Sequence, residues 1–256
     1  MSFREQLQQK QKIQTRDFKF EKLDLNLPEE PLTILKDSSG RRIYVDVDNN
    51  QYLSVTSLLA MNKSPALERW IKSVGKEYAD KLKNQGAVRG KSLHKICEAY
   101  LLGEHIDTGS ITLNADLFYQ IKSVLDSNVD TVCGIEQQLI SHKLQLAGTA
   151  DLICKYDNKL SIVDFKNSRK EKKEEHIINY FLQTTAYSMM VEELNPNLKV
   201  EQIVIIIASP EATKPQIWIK DPNTYKKQLV DLTENLWLKT LTSDSVLEIF
   251  QNISND

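Results

Sequence analysis

The chain has 256 residues, a hydrophobic content of 41% and a formal net charge of −2. This length can bury one sizeable core, and a net charge so close to zero argues against a passive nucleic-acid coat. No apolar stretch approaches a membrane span, because even Ile203–Ala208 is too short. The N-terminal residues also lack the apolar core of a secretory signal. We therefore predict a cytoplasmic protein with no membrane partner.

The predicted elements alternate between strands and helices along the chain. Turn signals at residues 37–40 and 48–50 divide Leu32–Val55 into two short strand pairs. The further predicted elements are helices from Pro65 to about Asn84, around His94, and at Leu113–Asn128, His176–Leu194 and Thr224–Thr242, and strands within Cys133–Lys166, at Val200–Ser209 and at Gln216–Lys220. This order predicts a mixed α/β fold in one domain, residues 31–256, after a partly mobile N-terminal arm, residues 1–30.

One predicted hairpin concentrates charged residues. The stretches Gln145–Tyr156 and Lys159–Lys166 are both strand-like, and only Asp157 and Asn158, two residues that tolerate positive φ, separate them. If Tyr156 pairs with Lys159, Asp151 falls opposite Asp164, and Lys166 lies two residues further along the same face. Opposed carboxylates roughly 5 Å apart repel by about 3 kcal/mol at an effective dielectric of ~20. A cation is needed to offset this repulsion.

The hairpin chemistry favours a metal site. A surface carboxylate pair is the alternative, but apolar residues on both faces of the hairpin indicate a covered central strand. Buried like charges without a partner are costly. Asp151 and Asp164 suit a hard cation such as Mg²⁺ or Mn²⁺, and Lys166 can orient a water or stabilise charge on a phosphoryl oxygen. These residues indicate metal-assisted phosphodiester hydrolysis.

His94 lies on a predicted amphipathic helix, beside its apolar stripe. The stripe contains Leu93, Ile96, Cys97, Tyr100 and Leu101, which recur at helical spacing. A single histidine at such a position is more often a packing residue than a metal ligand. Glu98 lies one turn further on, where it either orients the imidazole by a hydrogen bond or faces solvent.

Four motifs in chain order resemble those of the PD-(D/E)xK nuclease superfamily. They are G-x-x-D at Gly148–Asp151, D-x-K at Asp164–Lys166, the histidine-bearing segment Gly90–His94 with Glu98, and Q-x-x-x-Y at Gln183–Tyr187. The last two are similar to motifs of the RecB-type exonuclease branch. The overall similarity, which includes the segment Ser54–Thr56 at the start of the first helix, is to mitochondrial genome maintenance exonucleases and related phage exonucleases.

The resemblance implies a restriction-endonuclease-like core with a mixed central β-sheet flanked by helices and an N-terminal helical or hairpin extension. It also implies roles for individual residues. His94, Asp151, Asp164 and the backbone carbonyl of Phe165 would bind Mg²⁺, for which Mn²⁺ substitutes, and Lys166 would be the catalytic lysine. The chain departs from the family after this lysine, where Asn167 and Ser168 replace a frequent threonine, so the positioning of the lysine or the scissile phosphate can differ.

Three other predicted site residues have open alternatives. Glu136, expected on the strand before the hairpin, either supports the metal site or is a solvated strand residue. Gln183 and Tyr187 share a helix face, so they either reach the active site together or serve as a helix former and a core residue.

Cys97, Cys133 and Cys154 are scattered without C-x-x-C spacing. An iron–sulfur cluster held by four cysteines is therefore not expected.

Two basic clusters flank the predicted site. Nine lysines and arginines against three acidic residues lie in Lys63–Lys95, a basic helical segment that the resemblance implies can arch over the active site. A second cluster follows Lys166 closely and contains Arg169, Lys170, Lys172 and Lys173. Such clusters are usually solvated faces, but next to this site they can track phosphates. The predicted DNA-binding residues are Arg89, Lys91, Lys95, Ser168 and Arg169.

We predict from these features a Mg²⁺-dependent DNA exonuclease that prefers single-stranded DNA with a free end and acts as a monomer. The expected context is DNA repair, recombination or replication, with replication or recombination proteins as possible partners. The alternatives are a structure-selective or flap endonuclease, and a DNA-binding nuclease subunit of a helicase–nuclease complex.

Overall fold

The computed structural model describes residues 16–28, 30–62, 65–104, 106 and 115–241. Within these ranges the chain forms six α-helices and nine β-strands. The helices are α1 Val55–Met61, α2 Pro65–Val74, α3 Lys76–Leu101, α4 Ala115–Asn128, α5 Ile178–Leu194 and α6 Asn223–Leu241. The strands are β1 Lys19–Phe20, β2 Thr33–Lys36, β3 Arg42–Val45, β4 Gln51–Ser54, β5 Val129–Ser141, β6 Leu146–Tyr156, β7 Lys159–Asn167, β8 Gln202–Ala208 and β9 Gln216–Lys220.

The nine described strands form one mixed sheet at the centre of the described structure. Its order is β2-β3-β4-β6-β7-β8-β9, and β5 pairs with β6 and with the short strand β1. The pairs β4–β6, β7–β8 and β1–β5 are parallel, and the others are antiparallel. The expected mixed sheet flanked by helices is confirmed. The two predicted strand pairs between Leu32 and Val55 share strand β3 and belong to this sheet.

The sheet is covered on both faces, as the apolar runs of its strands predict. Strand β8 shows this directly, because Ile203, Ile205 and Ile207 pack into one core while Val204 and Ile206 pack into another. The first core also contains Leu58 of α1, Phe181 and Met190 of α5 and Leu229 of α6. The second contains Leu93 and Ile96 of α3 and Leu117 and Ile121 of α4. The helices therefore cover β6 and β7 on both faces of the sheet.

The turn between β6 and β7 has the predicted length and register. Asp157 and Asn158 have φ angles of 49° and 63°, as a two-residue hairpin turn requires. Tyr156 pairs with Lys159, and the ladder continues to Leu152 and Val163. The pairing of Tyr156 with Lys159 expected from the sequence is therefore confirmed.

Strand β6 has two partners on one of its edges. Its other edge is paired with β5 along Leu146–Tyr156. On the shared edge, β4 pairs with Leu146 and Ala147, whereas the ladder to β7 begins only at Leu152. Residues 148–151 therefore lie in a fork between β4 and β7, where neither strand pairs with β6.

The helical segment before His94 differs from the prediction. The break falls at Gly75, whose φ is 84°, and α3 then runs without interruption to Leu101. The glycines at 86 and 90 do not end this helix. Gly90 has a packing role, because a Cβ atom there would lie 2.9 Å from the Asn167 side-chain nitrogen.

Only part of each end of the chain lies within the described residues. Phe18 is buried in the second core, and Lys19–Phe20 pairs with β5. The rest of the predicted arm before residue 16 lies outside the described residues, as do Lys63, the predicted helix start at Leu113 and the predicted helix end at Thr242. None of the described helices combines the length and apolar character needed to cross a membrane.

Candidate active site

The two hairpin carboxylates are buried where the ladder between β6 and β7 ends. Asp151 is 7% exposed and Asp164 is 1% exposed. The last paired residues are Leu152 and Val163, one pair before the carboxylates. Asp151 instead accepts a hydrogen bond through Oδ2 from the backbone N–H of Phe165, at 2.8 Å. The side chain thus satisfies a backbone donor that the ladder no longer pairs.

Lys166 forms an ion pair with Asp164. Its ammonium donates a hydrogen bond to Oδ1 at 2.7 Å, and Oδ2 lies 2.6 Å away. The ammonium also lies 5.2 Å from the centroid of the Tyr180 ring, which is within the range of a cation–π contact. Burial raises the pKa of Asp164 to about 6. The positive charge of Lys166 lowers this pKa, and the negative charge of Asp151 raises it further.

His94 bridges the two strands of the hairpin. Its Nε2 lies 2.7 Å from the backbone carbonyl oxygen of Phe165, and its Nδ1 lies 3.3 Å from Oδ1 of Asp151. Burial favours the neutral imidazole, but the hydrogen bond and charge of Asp151 outweigh it and raise the pKa of His94 to about 9. Although burial works against ionisation of Asp151, His94 and Lys166 lower its pKa. The predicted residues His94, Asp151 and Phe165 are therefore brought together.

Glu136 reaches the same place from β5 through an unusual backbone. Its φ is 44°, and it lies between the pairs Ile135–Leu152 and Gln137–Ala150. A positive φ is uncommon for a residue with a side chain, and such strain is concentrated at functional sites. Its Oε1 lies 3.9 Å from Nδ1 of His94. Burial, followed by the charge of Asp151, raises the pKa of Glu136 to about 7.

These donors fit a divalent cation. One potential ligand atom from each of His94, Glu136 and Asp151 lies within 4.8 Å of the other two. Within the described part of the chain, the buried Oδ2 of Asp164 has no hydrogen bond, although the Lys166 ammonium is close to it. Carboxylate oxygens are ligands that hard cations such as Mg²⁺ and Mn²⁺ prefer, and an imidazole is a further ligand that transition metals accept. Glu98 is half-buried and contributes to the raised pKa of Glu136.

Gln183 and Tyr187 border the site from α5. The Gln183 amide donates a hydrogen bond to the Tyr187 hydroxyl at 3.3 Å. Tyr187 packs so closely on Gly148 that a Cβ atom at position 148 would lie 2.6 Å from its Cε1 atom. This contact explains the glycine in the G-x-x-D motif. Burial raises the pKa of Tyr187.

A cavity of about 250 Å³ opens at the fork in the sheet. Its lining residues are Arg42, Tyr44, Ser54, Val55, Thr56, His94, Glu136, Gly148, Thr149, Asp151, Lys166, Gln183 and Tyr187. Sequence reasoning missed Arg42, Tyr44 and Thr149 as site residues. They come from β3 and the fork of β6, and the Tyr44 hydroxyl lies 3.3 Å from the Thr149 hydroxyl. No local motif marks them, since only the parallel pairing of β4 with β6 brings β3 close.

The predicted DNA-binding residues differ in how accessible their polar groups are. Lys91, Lys95 and Arg169 are exposed. The guanidinium of Arg89 donates from Nε to the Asn167 side-chain oxygen at 3.1 Å. Ser168 is buried, and its hydroxyl donates to the Lys170 carbonyl oxygen at 2.6 Å. The Ser168 hydroxyl is thus occupied by its own loop.

The fold and the site define a nuclease. A family model described as the PD-(D/E)XK nuclease superfamily matches residues 59–253, which is most of the chain. The chain belongs to this superfamily, whose members use divalent metals. The superfamily resemblance read from the four motifs is confirmed.

The chain is also similar to individual proteins. It is 25% identical over 145 residues to the protein named Mitochondrial genome maintenance exonuclease 1 of Mus musculus, a match that covers 53% of this chain and 43% of that protein. The match therefore spans less than half the length of this relative. The crystal structure of SSO0001 is similar over 75% of this chain and 77% of that chain, with 17% identity and a TM-score of 0.38. A likeness at this level supports no argument about function.

Proposed function

We propose that the protein is a Mg²⁺-dependent deoxyribonuclease that degrades single-stranded DNA from a free end. The observation that carries the proposal is the buried pair Asp151 and Asp164, held with His94, Glu136 and Lys166 at one cavity. Two carboxylates are not buried beside three further ionisable groups without a functional reason. Phosphodiester hydrolysis uses each of these residue types.

His94, Asp151, Asp164 and the carbonyl of Phe165 are the proposed metal ligands, and Glu136 is a further candidate ligand. When bound, Mg²⁺ supplies Lewis-acid stabilisation of charge on the phosphoryl oxygens, and Mn²⁺ can substitute for it. The ion pair with Asp164 keeps the Lys166 ammonium beside these ligands.

Lys166 is the proposed catalytic lysine. Burial favours a neutral amine, but Asp164 and Asp151 raise the pKa of Lys166, so it stays an ammonium at neutral pH. A cation at this position can orient an attacking water and stabilise the developing phosphoryl charge. It cannot accept a proton in this state, so we assign it no general-base role.

Gln183 and Tyr187 are proposed to position the substrate. Both line the cavity, and their mutual hydrogen bond fixes the orientation of the Tyr187 ring against Gly148. Glu98 is proposed to orient His94 or Glu136 rather than to bind metal, because it lies outside the group of close ligand atoms. Removing such orienting groups typically costs about 10- to 100-fold in metal affinity or activity.

The proposed substrate preference has two supports. The similar mouse protein carries the name of an exonuclease. Lys91 and Lys95 are exposed on α3, the helix that carries His94. Exposed lysines of this kind can hold a DNA backbone without reading bases, and a single strand fits a narrow site better than a duplex.

Digestion of end-labelled single-stranded, duplex and flap DNA, with products sized over time, tests this proposal. We expect stepwise shortening of single strands in Mg²⁺ or Mn²⁺, and no cleavage in EDTA. The Asp164→Asn variant in the same assay controls for a contaminating nuclease. Cleavage by wild type in EDTA, or equal cleavage by the variant, would exclude the proposed metal site.

A circular substrate separates exonuclease from endonuclease activity. If the strand must enter by an end, linear single-stranded DNA should disappear while a covalently closed single-stranded circle of the same sequence survives. A second incubation, after the circle has been linearised, verifies that the enzyme remains active. Rapid cutting of the intact circle would instead favour the structure-selective endonuclease.

A further inference from the structure

Arg42 is a cation at the cavity that has no anionic partner among the described residues. Three side chains that line this cavity can be cationic: Arg42, His94 and Lys166. His94 lies beside Asp151, and Lys166 is paired with Asp164. The Arg42 guanidinium has no ion pair or hydrogen bond within the described ranges of the chain. It is therefore the cavity cation whose charge is available to a ligand.

The neighbouring strand places a second solvent-exposed cation beside Arg42, which is itself exposed. Arg42 pairs directly with Lys36 across the antiparallel ladder of β2 and β3. Like charges in opposed positions destabilise a β-ladder, and Lys36 also has no carboxylate partner among the described residues. Arg41, one position earlier, differs because its guanidinium is held by Asp37 at 2.5 Å. The pair Lys36 and Arg42 thus forms an uncompensated positive site.

The backbone of Arg42 is fixed relative to the catalytic end of the cavity. Its N–H donates to the Ser57 hydroxyl at 2.9 Å, which ties the start of β3 to the first turn of α1. Two residues further along β3, the Tyr44 hydroxyl contacts Thr149 of β6. Thr149 is two residues from Asp151. The cation is therefore held in the cavity that contains the carboxylates, but on a different strand.

We propose that Arg42, assisted by Lys36, binds a backbone phosphate of the DNA strand. This phosphate lies next to the scissile phosphate on the same strand. This inference rests on the proposed nuclease function. The carboxylates at the metal end repel phosphate, so a strand that continues past the metal needs cations further along the cavity. A guanidinium is well suited to this role, because its planar donors match phosphate oxygens. Arg42 is thus a substrate-positioning residue.

The test compares Arg42→Gln with Arg41→Gln, which removes the same charge one residue away but outside the cavity lining. Affinity for a fluorescein-labelled single-stranded oligodeoxythymidylate is measured by anisotropy in EDTA, at KCl concentrations from about 50 to 200 mM. Arg42→Gln should weaken binding roughly tenfold, as expected for one lost charge-assisted contact. The slope of log K against log[KCl] should become less steep by about 0.7, the value for one phosphate contact on a single strand.

Three further measurements distinguish a functional from a structural role. Thermal unfolding of Arg42→Gln should occur at the same or a higher Tm than that of wild type, because the repulsion with Lys36 is relieved. In Mg²⁺ the variant should show a raised KM with a smaller change in kcat, and Arg42→Lys should restore the salt slope.

The outcomes separate this inference from the nuclease proposal. If wild type cleaves DNA while Arg42→Gln and Arg41→Gln have equal affinities and salt slopes, the Arg42 inference is wrong and the proposed function stands. A lower Tm of Arg42→Gln with an unchanged salt slope also overturns it. If wild type neither binds nor cleaves DNA, the nuclease proposal fails and the inference fails with it.

Discussion

The two ends of strand β6 are built in different ways. At the hairpin end, Leu152–Tyr156 pairs with β7 across a turn of two residues. At the other end, Leu146 and Ala147 pair with β4, a strand from a distant part of the sequence and parallel to β6. The candidate site lies between these two ends, at residues 148–151. The candidate catalytic groups thus lie where a strand changes its partner.

This difference in strand pairing explains how the fork positions side chains of the candidate site. Where a ladder is continuous, backbone groups pair with each other and side chains pack into the cores. Where β4 and β7 separate, Asp151 binds the N–H of Phe165, and Tyr187 packs against the bare backbone of Gly148. Ligands bind at similar switch points in open α/β sheets, where neighbouring strands diverge. We therefore expect substitutions at the charged residues Asp151, Asp164 and Lys166 to cost more activity than substitutions at the uncharged residues around the fork.

Loss of the hairpin charges should have the largest effect. Asp151→Asn, Asp164→Asn and Lys166→Ala should each reduce cleavage by on the order of 10²–10³-fold or more, because each removes charge that acts on the reacting phosphate. The aspartate variants should also bind Mn²⁺ more weakly, whereas Lys166→Ala should retain metal binding. Single-turnover cleavage and Mn²⁺ titration measure the two effects separately.

Circular dichroism serves as the control for these three variants, because Asp164 and Lys166 form a buried ion pair whose disruption costs stability. Folded Asp164→Asn with near-normal turnover in Mg²⁺ would falsify the assignment of the hairpin carboxylates.

His94→Ala should be impaired more than Glu98→Ala. His94 contacts both Asp151 and the Phe165 carbonyl, whereas Glu98 lies outside the group of close ligand atoms. We expect a loss of kcat/KM above roughly 100-fold for His94→Ala and about 10-fold for Glu98→Ala, the lower end for an orienting residue. Equal, mild losses in the two variants would assign His94 to packing.

At the fork, Gly148→Ala should reduce both stability and activity. The new Cβ atom would collide with the Tyr187 ring, and such overpacking costs about 1–3 kcal/mol. Displacing Tyr187 also breaks its hydrogen bond with Gln183, so we expect activity to fall by roughly 10-fold. Urea unfolding and initial cleavage rates provide the measurements.

Gly86→Ala is the matched control for this substitution. Apart from the neighbouring backbone of α3, no atom of the described residues lies within 4 Å of the position of a new Cβ, and alanine in a helix is more stable than glycine by roughly 0.5–1 kcal/mol. It should therefore stabilise the protein without reducing activity. A Gly148→Ala variant as stable and active as Gly86→Ala would contradict the close packing at the fork.

The smallest effect is expected for Tyr44→Phe, which removes the hydroxyl contact between β3 and β6. A single hydrogen bond of this kind contributes about 0.5–1.5 kcal/mol, and activity should stay within about threefold of wild type. Tyr44→Phe and Thr149→Val should not be additive, because they remove the same contact. Additive losses in a double-mutant cycle measured by urea unfolding would show that the two residues act independently.

Much of the hairpin could be predicted because its determinants are local. The pair Asp157 and Asn158 fixes the turn, the turn fixes the register, and the register fixes where Asp151 lies relative to Asp164. Motif spacing in the sequence likewise pointed to His94, Gln183 and Tyr187 as site residues on helices. Each of these three residues lines the cavity.

Other features depend on residues that are distant in the sequence. The end of the ladder at Leu152 and Val163 could not be derived from alternation alone, because the pattern of apolar residues continues past it. The helix break was expected after Asn84 but lies at Gly75, since Gly86 and Gly90 are tolerated within α3. Gly90 is small because Asn167 from β7 packs against it, a contact that helix propensity does not encode.

The sequence by itself determined the hairpin, the order of the elements and the residue types of the proposed metal site, because turns, periodicity and motif spacing are local properties of a chain. Only the tertiary structure decided that β4 joins β6 beside β7, which opens the fork and places Arg42, Tyr44 and Thr149 around the carboxylates. It also decided the positive φ of Glu136 opposite the fork. These features arise from long-range strand pairing, whose partners are selected by the packing of the whole sheet between its two cores.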